Sequence, residues 1–267
     1  MNNSMFVQTA HQDDLAPIMI SLLGSFRLKI YDNQVPINSG SKSELLLTYL
    51  ALTRQYRLER TQILEQLWPG YDVTLAGQSL NSLIYQLNKL TKKFSKRDSL
   101  VNHDNGYYYL NTSEEIGIDI DYFDAWRAEG ARLLHQGDHE KGITFYEDAL
   151  TLYKGDLGGD SSIQTIIERE RLRAAFLDLL ASLSDYAYSE EDYTKALAYI
   201  HRLLKHDPCR EDAHRQAMRC YVRLGIRTQA LRQYQLCDQI LAAEFDIKPE
   251  LATQELFDQI RLDPTNV

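Results

Sequence analysis

Leu80, Leu83, Ile84, Leu87, Leu90 and Phe94 recur at helical offsets within Thr74–Arg97. That spacing predicts one long amphipathic helix. Its opposite face carries Gln78, Asn81, Ser82, Tyr85, Lys89, Lys92 and Lys96, with Gln86 and Lys93 at the edge. Upstream the pattern is different. Ile18–Leu23, Ser25–Tyr31 and Gln34–Ile37 read as short strands, with turns at Gly24 and at Asp32–Asn33. Ser43–Arg54 and Glu59–Trp68 read as helices, the second closed by Pro69–Gly70. Downstream, Ser99–His103 and Tyr107–Asn111 flank Asp104–Asn105–Gly106, a tight-turn sequence that predicts a hairpin. Strands, two helices, a long helix and a hairpin, in that order, predict a winged helix-turn-helix with the hairpin as its wing.

From about residue 119 the strand patterns vanish. Helices are expected at 121–135, 138–153, 163–188, 192–205, 209–224, 227–244 and 249–262. Within them Asp192–Tyr193–Thr194–Lys195–Ala196–Leu197 is answered by Arg227–Thr228–Gln229–Ala230–Leu231. Ala196 and Ala230 are 34 residues apart, the tetratricopeptide period, and His206–Asp207–Pro208 closes the first copy. An earlier copy at Gly137–Gly142 lies one period plus about twenty residues upstream, consistent with an insertion near Lys154–Gln164. Stacked helix pairs of this kind form a concave surface suited to holding a protein. The expected fold is therefore an α+β winged helix-turn-helix domain over 18–113, followed by an all-α tetratricopeptide-like repeat domain over 119–262. Residues 1–17 are expected to form a flexible tail.

Charge sharpens this division. Residues 1–113 hold 11 Lys and Arg against 9 Asp and Glu, a net of +2, whereas 114–267 hold 18 against 29, a net of −11. The overall −9 thus conceals a mildly basic part and a strongly acidic part, suggesting two domains with different partners. The three cysteines, Cys209, Cys220 and Cys237, form no CxxC pair, which predicts a reduced, cytoplasmic protein without a disulfide framework. No apolar run reaches membrane-span length, and the N-terminus lacks a secretory pattern. No GxGxxG or P-loop occurs, so no nucleotide cradle is expected. The histidines have no metal-ligand spacing, and Gly137–Asp138 separates His135 from His139. Neither enzyme activity, cofactor nor metal is expected.

Together these features resemble the Streptomyces antibiotic regulatory protein family of bacterial transcription activators. Leu22–Phe26 looks like the opening strand and turn, and Ile63–Pro69 like the leucine–tryptophan end of the second helix. Asn105–Leu110 resembles the wing, and Asp119–Phe123 the junction into the second domain. Ala149–Leu157, Asp207–Arg215 and Phe245–Leu251 look like family signatures in the bacterial transcriptional activator domain. The resemblance spans roughly 19–262. It implies contacts with RNA polymerase, including its sigma factor, and with a second protomer. Two positions depart from the pattern. Asn88 stands where the family often has arginine, which implies the loss of a charge-assisted DNA contact. Glu59, not Ser or Thr, precedes the second helix, which implies a poorer cap.

The expectation is a transcription activator that binds double-stranded promoter DNA, as a homodimer on direct repeats. Gln78, Asn81, Ser82 and Tyr85 would meet base edges, and Gln86 is also expected among the DNA-binding residues. Lys89, Lys92 and Lys93 would sit on phosphates, and Tyr107 on the wing would reach the minor groove or backbone. Arg54, Arg57 and Arg60 are either flanking phosphate contacts or a solvated face. Trp68, Trp126 and at least one of Tyr107, Tyr108 and Tyr109 should be core. An alternative is a repeat-type adaptor whose winged helix no longer binds DNA and serves for docking. A sensor whose repeats bind a small effector is a further alternative, for which the residues suggest no specific ligand.

Overall fold

The structure, a computed structural model, describes residues 15–53, 56–94, 99–111, 116–158 and 162–263. The tail to residue 14, Arg54, and the expected helix end at Lys96 and Arg97 lie outside the described residues. By its contacts the chain divides into Met1–Leu172 and Arg173–Val267.

The first unit opens with β1 (Ile18–Ser21), β2 (Arg27–Ile30) and β3 (Asn33–Val35). They pair antiparallel in register Met19↔Lys29 and Lys29↔Gln34. Alternation holds: Leu28 and Ile30 are fully buried, and Lys29 between them is exposed. The first strand is shorter than its apolar run suggests, because the next amides leave the ladder. Leu22 and Leu23 instead donate to the buried carboxylate of Asp119, at 2.8–3.0 Å. A strand absent from the expectation, β7 (Ile116–Ile118), runs parallel to β1 and completes a sheet in the order β3-β2-β1-β7.

Between β3 and β7 lie α1 (Lys42–Leu52), β4 (Arg57–Glu59), α2 (Arg60–Leu67), α3 (Val73–Thr91), β5 (Val101–Asp104) and β6 (Tyr107–Leu110). Ser41 caps α1 by accepting from Glu44 N. Leu46, Leu47 and Leu50 of α1 are fully buried, and this helix packs on α2, α3 and β6. Lys42 ties its start to the end of α2, donating to the Leu67 carbonyl at 2.5 Å and lying 4.3 Å from the Trp68 ring centre. The hairpin forms where Asp104–Asn105–Gly106 placed it. Asn105 and Gly106 both take positive φ, 48° and 82°, as a tight two-residue turn requires. β4 also went unforeseen. It joins the hairpin through Leu58↔Tyr108, giving the second sheet the order β4-β6-β5.

Helices α4 (Asp119–His135), α5 (His139–Leu152) and α6 (Ile163–Ser189) follow, and the contact division falls inside α6. α4 and α5 pack closely and bury Phe123, Trp126, Ala149 and Leu150. The second unit continues with α7 (Tyr193–His206), α8 (Glu211–Arg223), α9 (Arg227–Phe245) and α10 (Leu251–Leu262), each packed on the next. Met218, Ala230, Leu256 and Ile260 form a core there, flanked by Tyr234 stacked on Phe257. The repeat shows in the caps. Asp138 and Asp192 accept from the backbone N–H three residues on, with nearly equal φ/ψ of −85°/73° and −84°/71°. Ala196 and Ala230 both have no exposed surface. A small mixed sheet region is thus followed by a helical, repeat-like region. Among the described residues, no helix is long and apolar enough to cross a membrane.

Candidate nucleic-acid interface

α3 starts where Asp72 accepts from Thr74 N and Leu75 N, at 2.9 and 3.0 Å, filling two orphan donors of its first turn. Its inner stripe is Ala76, Gly77, Leu80, Leu87 and Thr91, all buried, with Leu83, Ile84 and Leu90 half-buried. The Arg60 guanidinium lies against Gly77, and a Cβ there would force it to shift. The helix ends at Thr91. Lys93 N and Phe94 N bond three residues back, to Leu90 O and Thr91 O, tightening the final turn.

Gln78, Asn81, Ser82, Tyr85, Gln86, Lys89, Lys92 and Lys93 are all exposed and share the outward side of this helix and its last turn. Tyr85 is 67% exposed, so its ring is available to a partner. Among the described residues, no carboxylate pairs with Lys89, Lys92 or Lys93. Amides and a hydroxyl come first along the face, then an aromatic ring, then cations. Asn81 also has an internal partner, since Tyr108 OH donates to its Oδ1 at 3.3 Å.

Tyr107 is placed differently. It lies on β6, half-buried, and its hydroxyl donates to Glu59 Oε1 at 2.8 Å while Arg57 covers its ring at 3.8 Å. The hydrogen bond to the Glu59 carboxylate raises the phenol's pKa above its usual value. Tyr108 is the core tyrosine, 4% exposed, and Trp68 and Trp126 are buried as expected. Arg60 N donates to Gly106 O at 2.9 Å, fastening the start of α2 to the hairpin turn. Glu59 is served better than its residue type suggests, because its N–H donates to Gln62 Oε1 at 3.1 Å.

Asn88, where the resemblance implied the loss of a DNA contact, turns its side chain to the hairpin. Nδ2 donates to Val101 O at 2.9 Å and Oδ1 accepts from Val101 N at 3.0 Å. Asparagine supplies one donor and one acceptor at a spacing that satisfies a backbone amide in both directions. Asn88 therefore fastens α3 to β5.

Sequence reading passed over Leu75. It falls on the outward side in line with Gln78, Ser82 and Gln86, and it is 60% exposed. The signal was present as an apolar residue off the apolar stripe. Leu75, Gln78, Ser79, Ser82, Leu83, Gln86 and Trp68 line a shallow concavity of about 480 Å³. Among the described residues, no cluster of three or more His, Cys, Asp or Glu could hold a metal.

The profile of the bacterial transcriptional activator domain matches residues 118–261. The chain belongs to that family. The match bears out the resemblance to the antibiotic regulatory proteins and makes the protein a transcription regulator. The transcriptional regulatory protein MoaR1 is 21% identical over 247 residues, covering 91% of this chain and 79% of the relative. It was matched in both Mycobacterium tuberculosis (strain H37Rv) and Mycobacterium bovis (strain BCG / Pasteur). Mycobacterium tuberculosis EmbR, solved in complex with a low-affinity phosphopeptide, superposes with a TM-score of 0.72 at 20% identity. That alignment covers 92% of this chain, which spans 65% of the EmbR chain. At this identity the likeness concerns the fold.

Proposed function

We propose that this regulator is a sequence-specific, DNA-binding transcription activator. Residues 18–113 act as a winged helix-turn-helix, with α3 as reader and the β5–β6 hairpin as wing. Residues 119–262 act as a tetratricopeptide-like domain that recruits RNA polymerase, including its sigma factor. The protein works in the cytoplasm and binds promoter DNA as a homodimer on direct repeats, since one reading helix buries too little surface for tight specific binding.

The observation that carries this reading is the outward side of α3. Groups able to bond base edges precede three cations with no carboxylate partner among the described residues, the order needed by a helix lying in a major groove. Competition between DNA from the protein's own upstream region and a random duplex tests the proposal. Preference for the upstream DNA, lost in a Tyr85→Ala/Lys89→Ala variant, supports it. Equal weak binding to both duplexes refutes it in favour of the adaptor.

A further inference from the structure

Leu75 is not accounted for by hydrogen bonding or phosphate neutralisation, yet it stands on the surface that would enter the groove. At 60% exposure on a helix whose apolar stripe faces elsewhere, it contributes little to the core. Val73 at the same helix start is 66% exposed. The surroundings of Leu75 are informative. It shares its concavity with Gln78 and Gln86, and Ser79 is satisfied internally by donating to the Leu75 carbonyl at 3.0 Å. From Val73 to Asn88 the helix carries no arginine, lysine or acid.

Base chemistry makes this set selective. Thymine presents a C5 methyl in the major groove, and adenine presents N7 and N6–H2 as an acceptor–donor pair that a glutamine amide matches in bidentate fashion. Guanine is read most often by a cation on O6 and N7, and the first four turns of α3 offer none. The cations arrive only at Lys89, Lys92 and Lys93, whose charge suits the phosphates beyond the bases.

Resting on the DNA-reading role of α3, we propose that Leu75 reads a thymine C5 methyl, with Gln78 or Gln86 on adenine, so that the target core consists of A·T pairs. The occupant of the concavity is the methyl-bearing edge of the major groove.

Selection of the 267-residue protein on a random duplex library, followed by single thymine-to-uracil replacements in the enriched site, tests this. Uracil keeps every hydrogen-bonding group and removes the methyl. An A·T core is expected. One replacement should weaken the wild type about fourfold, the worth of one buried methyl. The same replacement should leave Leu75→Ala, already weakened, unaffected. The exposure of Leu75 keeps that variant folded, and circular dichroism checks this. An enriched G·C core, indifference to every uracil, or equal uracil sensitivity in Leu75→Ala overturns the inference while the DNA-reading role stands. A Leu75→Ala variant that loses only transcription would assign the residue to a protein contact and also overturn it. If no duplex is bound at all, the DNA-reading role fails and the inference fails with it.

Discussion

Asn88 distinguishes two views of α3. Its amide bonds both the N–H and the C=O of Val101, at 3.0 and 2.9 Å, and Val101 is 1% exposed. Asn88→Ala strands a buried donor and a buried acceptor, each costing about 1–3 kcal/mol when left unpaired. A combined cost of about 2–6 kcal/mol is expected, and even the lower figure is roughly a thirtyfold change in an opening equilibrium. Hydrogen exchange at the Val101 amide reads this directly. Protection should fall at least thirtyfold, while the α10 amides in the other unit keep theirs. Asn88→Arg, which installs the residue implied by the resemblance, should also lose the Val101 pairing and should not tighten DNA binding. Unchanged protection at Val101, or an Asn88→Arg protein that folds equally well and binds DNA more tightly, would refute the assignment of this side chain to the hairpin.

Two titrations follow from buried groups. Asp119 accepts from Leu22 N and Leu23 N, yet burial pushes its carboxyl up to about 6 from an ordinary value near 4. The fold therefore binds this proton more tightly than the unfolded chain does. The Asp119 contribution is greatest below pH 4, falls by about 2–3 kcal/mol as pH rises to 6, and is flat above. Urea unfolding of wild type minus Asp119→Asn should show that fall, and a difference that grows with pH contradicts it. His214, 1% exposed, bonds Pro208 O at 2.9 Å and Gln233 Nε2 at 2.7 Å, and burial lowers its pKa below the usual 6.5. With Gln233 donating to Nδ1, Nε2–H donates to Pro208, so the ring is neutral. Its contribution to the second unit is intact above pH 6.5 and lost as pH falls through the lowered value. A ring titration by NMR should give a midpoint below 6.5, and a midpoint above it would contradict the buried neutral ring.

Much of the fold was legible because long-period signals survive in a single sequence. The apolar stripe of α3 fixed its inner side, Asp-Asn-Gly fixed the hairpin turn, and the repeated Asp138 and Asp192 caps marked helices within a residue or two of their observed starts. The elements that went unread are short or non-local. Three residues of β4 or β7 carry no period, and the Ile18↔Ile116 pairing joins residues far apart in the chain. The site was half legible. Helical spacing sorts residues into inner and outer faces, which is why all eight α3-side candidates are exposed. Spacing cannot tell that Asn88 lies against a strand 13 residues later, or that Tyr107 is held by Glu59. Leu75 was missed because its apolar character suggested the core while its position on the wheel did not.

The central claim is that the outward side of α3 reads DNA, and the salt dependence of binding tests it most directly. Fluorescence anisotropy on the preferred duplex, titrated over several salt concentrations, gives the number of phosphates neutralised, at about 0.9 in slope for each. With Lys89, Lys92 and Lys93 engaged, the account predicts a slope of about −3 or steeper per protomer, about one shallower in Lys89→Ala, and a specificity ratio lost in Tyr85→Ala. A slope unchanged by Lys89→Ala, together with equal affinity for random DNA before and after Tyr85→Ala, would contradict it.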